Sequence, residues 1–231
     1  MIEFTDKFAR IDTLLRSGYH ITTRDLEEFN YISHISDELK EFYSLYGVEL
    51  VKTSESVYYL RTQDRSLMNR RTLDEFEMTI GRLLCYMQMN LHAYTDILDG
   101  WISFESIVDE MNNLIPSEKL ARIYKRKDGL TDQELTSLVK KIRSKLQFFK
   151  SINMVQLKGG ENLFVRPTDS IFRFASDKRG QDENDEIYAM LSSEGEYASL
   201  GEGVDDYTID EKEDREKREE QLDMLGGDEY E

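Results

Sequence analysis

The fold is read most directly from residues 131–166, TDQELTSLVKKIRSKLQFFKSINMVQLKGGENLFVR. Thr131 and Glu134 have the spacing at which a helix-opening hydroxyl and a carboxylate each reach the other's backbone N–H. From there Leu135, Leu138, Val139, Ile142, Leu146 and Phe149 recur at three- and four-residue intervals, the apolar stripe of a helix reaching about Ser151. The period then changes. Two β-rich runs, Met154–Leu157 and Leu163–Arg166, flank Lys158-Gly159-Gly160-Glu161-Asn162, whose glycines permit a turn with positive φ. A helix running straight into a hairpin is the closing half of a winged helix.

Upstream of it, Thr72 and Glu75 have the same capping spacing and open a long helix through about Leu91. Leu73, Phe76, Ile80, Leu83, Leu84, Met87 and Leu91 form one stripe of that helix. At about 100° per residue, Met78, Cys85 and Met89 gather on another side, so the helix is apolar on two faces. The second face is either sandwiched inside one domain or presented to a partner subunit or a second copy. A helix from Phe104 to Leu114 follows, with Pro116 as punctuation. Downstream of the hairpin, Ile171, Phe172 and Phe174 supply aromatic and aliphatic packing that closes the domain.

The N-terminal part repeats this order on a smaller scale. Phe8, Ile11, Leu14 and Leu15 mark a first helix over Phe4–Leu15. Thr22, three residues before Asp25, is placed to cap a second. Ser36 opens a third through Leu39, Phe42, Tyr43 and Tyr46, which stops at Gly47. Val48–Lys52 and Val57–Arg61 then form a hairpin around Thr53–Ser56. The expected class is α+β, mainly helical, with tandem winged-helix domains. The divisions are an N-terminal winged-helix domain over 1–66, a C-terminal one over 67–179, and an acidic, disordered tail over 180–231.

Charge supports that division. The 231 residues carry 47 acidic and 30 basic side chains, a net of −17. Residues 176–231 hold 21 of the acidic and 6 of the basic ones, a net of −15, leaving −2 on residues 1–175. A stretch so polar buries too little apolar surface to offset the entropy of ordering it. Two apolar clusters interrupt it, Ile187–Leu191 and Leu222–Leu225, either as less polar parts of a disordered tail or as docking points for a partner. Residues 210–222, alternating in charge sign and lacking glycine, suit a solvated helix.

The same composition excludes several function classes. No run approaches the roughly 18 apolar residues of a membrane span. Met1–Asp6 lacks the basic-then-apolar pattern of a secretory signal, so a cytoplasmic location is expected. One cysteine, Cys85, cannot form an internal disulfide, and His20, His34 and His92 have no zinc-ligand spacing. Phosphate-loop, GxGxxG and GxSxG patterns are missing, and the paired carboxylates sit mainly in the tail without a frame for acid–base work. Neither catalysis nor a cofactor is expected.

Against the acidic total stands a basic island. Residues 119–150 contain ten Lys or Arg against three Asp or Glu, a net of +7. On the helix from Thr131, Lys140 and Lys141 lie opposite the apolar stripe, with Arg143, Lys150 and Lys145 at its borders, and Lys158 lies in the wing. The alternatives are an ordinary solvated face or a surface for the DNA backbone. We take Lys140, Lys141, Arg143, Lys145, Lys150 and Lys158 as the candidate DNA-binding set, and Met78, Cys85 and Met89 as the candidate partner or dimer interface.

Several stretches together resemble the MukE family, the kleisin-interacting winged-helix subunit of the bacterial MukBEF condensin. They are Leu14–Ile21, Leu39–Leu50, Tyr58–Arg61, Gly81–Tyr86, Lys141–Leu146 and Ser170–Arg179, in the family's order across most of the body. The resemblance implies a non-catalytic, nucleoid-associated subunit that dimerises and binds the kleisin MukF, which connects it to the SMC-like ATPase MukB. It further implies a role in chromosome condensation and partition in the cell cycle, with double-stranded DNA held in the context of the complex. The rival reading of the residues is a stand-alone winged-helix transcription regulator, which would discriminate one DNA sequence without any partner.

Overall fold

Thr5 opens helix α1 (Asp6–Arg16) by accepting the Phe8 N–H at 3.3 Å, and the helix buries Phe8, Ile11 and Leu15 on one stripe. The computed structural model describes residues 5–63, 66–68, 71–90, 100–125, 129–160, 162–175 and 182–192. After α1, Ile21 makes an isolated antiparallel bridge to Tyr58. Helices α2 (Leu26–His34) and α3 (Ser36–Ser44) follow back to back. The expected cap Thr22 works differently: its N–H and hydroxyl both bond Asp25 Oδ2, at 2.9 and 3.1 Å, so the Asp25 carboxylate at the N-cap position faces back toward the loop.

Strands β1 (Val48–Lys52) and β2 (Tyr58–Thr62) pair antiparallel, Leu50 opposite Leu60. The second strand begins one residue later than Val57 because Ser56 takes φ +61° and Thr53 N–H bonds Val57 O at 3.0 Å, which lengthens the loop. Phe8, Ile11, Leu15, Ile32, Leu39, Tyr43, Leu50 and Leu60 meet in one core.

The second module starts with α4 (Glu75–Met89). Its cap is Asp74 with Glu77, not Thr72 with Glu75: Asp74 Oδ1 accepts the Glu77 N–H at 2.7 Å and Glu77 Oε2 accepts the Asp74 N–H at 2.9 Å. Glu77 suits this role because Arg71 and Lys145 compensate its buried carboxylate. Then come β3 (Ile102–Ser103), α5 (Phe104–Leu114), α6 (Ser117–Lys125), α7 (Asp132–Ser151), β4 (Val155–Lys158) and β5 (Phe164–Pro167). Helix α6 goes beyond the sequence expectation. Pro116 begins it rather than merely breaking the chain, its carbonyl accepting the Leu120 N–H at 2.9 Å. The Thr131–Glu134 box opens α7 as expected, with Glu134 Oε2 on the Thr131 N–H at 2.9 Å.

The three strands order β3-β5-β4, all antiparallel, with Leu157 and Ile102 both opposite Val165. A 3₁₀ turn (Asp169–Phe174) buries Ile171 and Phe174. Phe174 lies against Gly81 of α4 so closely that a Cβ there would stand 2.2 Å from the ring. Both modules thus share one order: a helix, a short strand or bridge, further helices, then a hairpin whose second strand pairs with that short strand.

Helix α8 (Asp182–Ser192) lies within the stretch read as acidic tail. It packs along α4, and Ile187 and Leu191 enter the same core as Cys85 and Met87. Burying two such side chains contributes about 2 kcal/mol each, enough to hold an 11-residue helix that alone would be marginal. Neither reading of Ile187–Leu191, a less polar part of a disordered tail or a docking point for a partner, describes this: Ile187 and Leu191 pack into this chain's own core, against α4. Residues 210–222 and Leu222–Leu225 lie outside the described residues.

Candidate nucleic-acid and partner surfaces

Helix α7 divides its cations by what each one meets. Lys140 and Lys150 are exposed. Lys141 lies over the rings of Phe76 and Tyr124, at 4.7 and 5.1 Å, and so spends its charge partly on aromatic faces. Arg143 sits 4.8 Å from the Phe104 ring and donates to Gly160 O at 3.3 Å, which ties the β4–β5 turn alongside the helix. That turn requires glycine at 159: φ is +88°, and a Cβ would meet Asn162 O at 2.2 Å. Lys158 is exposed beside it, 5.6 Å from the Trp101 ring, with Arg166 6.0 Å from the same ring. Arg166 adds a cation, and Trp101 an aromatic ring that both cations approach, beyond the residues singled out from sequence. Only the sheet brings them next to Lys158.

Lys145 turns inward. Its amine lies 2.8 Å from Glu77 Oε1 and 3.4 Å from Asp74 Oδ2. Arg71 reaches the same Glu77 oxygen at 2.6 Å and stacks 3.7 Å from the centre of the Phe148 ring. Glu77 is almost fully buried, so these cations stabilise a charge that would otherwise be costly to desolvate. A glutamate on the apolar stripe of α4 was the sequence signal for this hub, and its partners come from a loop and from a helix 68 residues away in sequence. Leu135, assigned to the buried stripe of α7, is 41% exposed because the first turn projects past the core.

On α4, Cys85 is fully buried, while Met78 and Met89 are partly buried against the same core. The neighbouring face is occupied by α8, whose Tyr188 ring lies 6.1 Å from that of Tyr86. The Lys119 amine donates to the carbonyls of Met190 and Leu191 at the end of α8, where a cation complements the helix dipole. Burial first, then the nearby Arg82, lower the pKa of that amine. The chain therefore covers part of the apolar surface of α4 itself, leaving Met78, Met89 and the 47% exposed Tyr188 at its edge.

The two modules meet at a polar joint that the sequence reading passed over. His20, wholly buried after α1, directs its backbone N–H and its Nδ1 to Ile152 O at the end of α7, at 3.1 and 2.9 Å. Asn153, at φ +62°, donates from Nδ2 to His20 O at 2.7 Å and to Asp25 Oδ2 at 3.0 Å. Arg173 Nη1 lies 2.5 Å from His20 Nε2, and its guanidinium stacks 3.6 Å from the centre of the Tyr59 ring. Nε2 accepts from arginine, so the imidazole is neutral with its proton on Nδ1. Burial first, then Arg173, hold its pKa well below the usual histidine range.

Residues 4–224 match the model of the MukE-like family. The chain belongs to that family. It is 31% identical over 189 residues to the chromosome partition protein MukE of Escherichia coli K12, covering 82% of this chain and 80% of the relative. The Haemophilus influenzae protein of the same name is 32% identical over 193 residues, covering 83% and 79%. That of Photorhabdus laumondii is 29% identical over 209 residues, covering 90% of each. The MukE-like stretches Leu14–Ile21 and Ser170–Arg179 contribute His20 and Arg173, which face each other in the joint. Gly81–Tyr86 contributes the glycine beneath Phe174. Among the described residues, no helix is long and apolar enough to cross a membrane.

Proposed function

We propose that this chain is a non-catalytic subunit of a MukBEF-type condensin, acting in chromosome condensation and partition at the nucleoid, in the cytoplasm. The observation that carries the proposal is the MukE-like match over residues 4–224, together with relatives named as chromosome partition proteins. In this reading the chain dimerises, binds the kleisin MukF and through it joins the SMC-like ATPase MukB. Each module is a winged helix, supported by the shared order of elements and by the β3-β5-β4 sheet. The joint at His20 makes two small modules into one docking body. Met78, Met89 and Tyr188 form the apolar edge available to a partner, while Cys85 supports that edge from beneath.

DNA is held by the outward cations Lys140, Lys150 and Lys158, with Lys141 and Arg143 alongside. Lys145 acts indirectly by fixing α7 to Glu77. Contacts of this kind are made to phosphates and carry no sequence preference. Affinity for DNA alone is therefore weak and falls with salt by roughly one log unit per phosphate neutralised per log unit of salt.

The test is to mix the purified protein with the MukF-like product of its own organism and measure the mass of the complex by light scattering. A stable complex holding more than one copy of this chain is expected. A folded protein that stays apart from the kleisin would overturn the proposal. If that protein also selected one DNA sequence from bulk DNA unaided, the transcription-regulator reading would replace it.

A further inference from the structure

The sheet of the second module turns one face to the core and the other to solvent. Its inward side chains include Ile102, Val155 and Val165, each at most 1% exposed. Successive side chains of a strand point to opposite faces, so the residues between them share the outer face. These are Ser103 on β3, Gln156 and Lys158 on β4, and Phe164 and Arg166 on β5, all of them partly or fully exposed. Phe164 stands between Ser103 and Lys158 across the sheet. The same register carried one residue back from β3 sets the partly exposed Trp101 beside Arg166, which is paired on its other side with Gln156. Two rows thus cross the outer face, and each holds an aromatic ring, a cation and an uncharged polar group.

An aromatic ring with a cation beside it supplies the two contacts that hold an unpaired nucleotide: the ring stacks on the base and the cation takes the phosphate. Trp101 and Phe164 are diagonal neighbours, about 7–8 Å apart at Cα, so two bases of one extended strand can each meet a ring. A duplex offers no such faces except at its ends, because each paired base is already stacked on the next. Lys158 Nζ and the Arg166 guanidinium lie 5.6 and 6.0 Å from the centre of the Trp101 ring, near the outer limit of a cation–π contact. Held so loosely, both cations can turn to phosphates at little cost. Gln156 and Ser103 add donors and acceptors that suit a base edge or a sugar.

We propose that the outer face of the β3-β5-β4 sheet binds single-stranded DNA, with Trp101 and Phe164 stacked on unpaired bases and Arg166 and Lys158 on the flanking phosphates. The site goes beyond the duplex surface of α7, with which it shares only Lys158, and it lets the subunit hold DNA where the strands have parted. Stacking of this kind has little sequence preference, since every base has a π face.

Trp101 is the one tryptophan of the chain, so its fluorescence reports on the site directly. The full chain is titrated at low salt with an oligothymidine of about 12 nucleotides and with a blunt duplex of the same length. Saturable quenching is expected from the single strand at concentrations about tenfold below those at which the duplex acts. By anisotropy of an end-labelled oligothymidine, Trp101→Ala weakens binding about tenfold, the effect of losing one stacked base, and Trp101→Phe retains most of it. Arg166→Gln weakens binding and makes its salt dependence shallower, which keeps the test open should Trp101→Ala lose its helix signal. Lys140→Glu with Lys150→Glu leaves the Trp101 response to the single strand in place while duplex retention falls, so failure of the α7 reading and failure of this one are told apart. No quenching, an equal response to the duplex, or unchanged single-strand affinity in a folded Trp101→Ala variant would overturn the proposal. So would tighter binding of oligouridine, which would assign the face to RNA, or a tryptophan signal that answers only to the MukF-like protein, which would make it a protein docking face.

Discussion

The helix that precedes the hairpin holds the same place in both modules, and the two helices carry opposite charge. Helix α3 has Asp37, Glu38 and Glu41 against Lys40, whereas α7 has Lys140, Lys141, Arg143, Lys145 and Lys150 against Asp132 and Glu134. The surroundings differ in the same sense. In the first module Arg10, Arg16, Lys40 and Arg61 lie against Glu28, Asp12, Asp37 and Glu49. In the second, Lys145 and Arg71 converge on the buried Glu77, and Lys140, Lys150 and Lys158 point outward. A repeated order of elements sets where a helix lies. The charge it carries and the neighbours that neutralise it set what it can meet, and of these two helices α7 carries the excess of cations, with Lys140 and Lys150 exposed.

The largest expected effect tests whether the modules also differ in stability. Phe149→Ala empties the centre of the second core, where its ring packs edge-on to Phe174 at 5.8 Å, and should cost about 3–5 kcal/mol in urea unfolding. If the tyrosine-rich first module unfolds at the same urea concentration, the joint couples the two; if it unfolds later, they are independent. Glu77→Ala comes next, at about 3 kcal/mol, because it strands Arg71 and Lys145 in a half-buried site. Glu77→Gln should cost less, since it keeps the bond to the Asp74 N–H.

Acid dependence follows from His20. In the unfolded chain its imidazole takes up a proton below about pH 6.5, while in the folded chain it resists until much lower pH. The stabilisation is complete above that value and is lost as pH falls toward the folded pKa, at about 1.4 kcal/mol per pH unit. His20→Gln should flatten that part of the profile, as measured by thermal melts between pH 7 and 5. For the charged surface, Lys140→Glu, Lys150→Glu and Lys158→Glu together should lower DNA retention by the assembled complex by about 1–2 kcal/mol at moderate salt and leave kleisin binding intact. Unchanged retention would show that α7 does not meet DNA. The smallest effect belongs to the acidic counterpart: Lys40→Ala, at an exposed pair, should change stability by less than about 0.5 kcal/mol and DNA retention not at all.

Much of the fold was legible because it is periodic. The stripe Leu138, Ile142, Leu146 and Phe149 is buried as spaced, the Thr131–Glu134 box opens α7, and the strands of both hairpins lie within one residue of their expected bounds. The misses have separate causes. Asp74 replaced Thr72 as a cap because a buried ion cluster recruited Glu77, and cluster members distant in sequence leave no local signal. Helix α6 was hidden because proline starts helices as readily as it ends them. Of the candidate site, the exposure of Lys140, Lys150 and Lys158 followed from helical geometry and a glycine turn. The inward turn of Lys145 did not, because whether a border residue reaches out or in depends on the helix it packs against.

By itself, the sequence determined the helices other than α6 and α8, the hairpins, the crowding of negative charge into the last quarter of the chain and the MukE-like motifs, all of which are carried by residues near one another along the chain. Tertiary structure alone decided three things. It placed Ile187 and Leu191 on α4, brought Glu77 between Arg71 and Lys145, and closed His20 between Arg173 and Ile152. Each joins groups far apart in sequence, and each rests on desolvation, which acts only once the chain has folded around the group and excluded water from it.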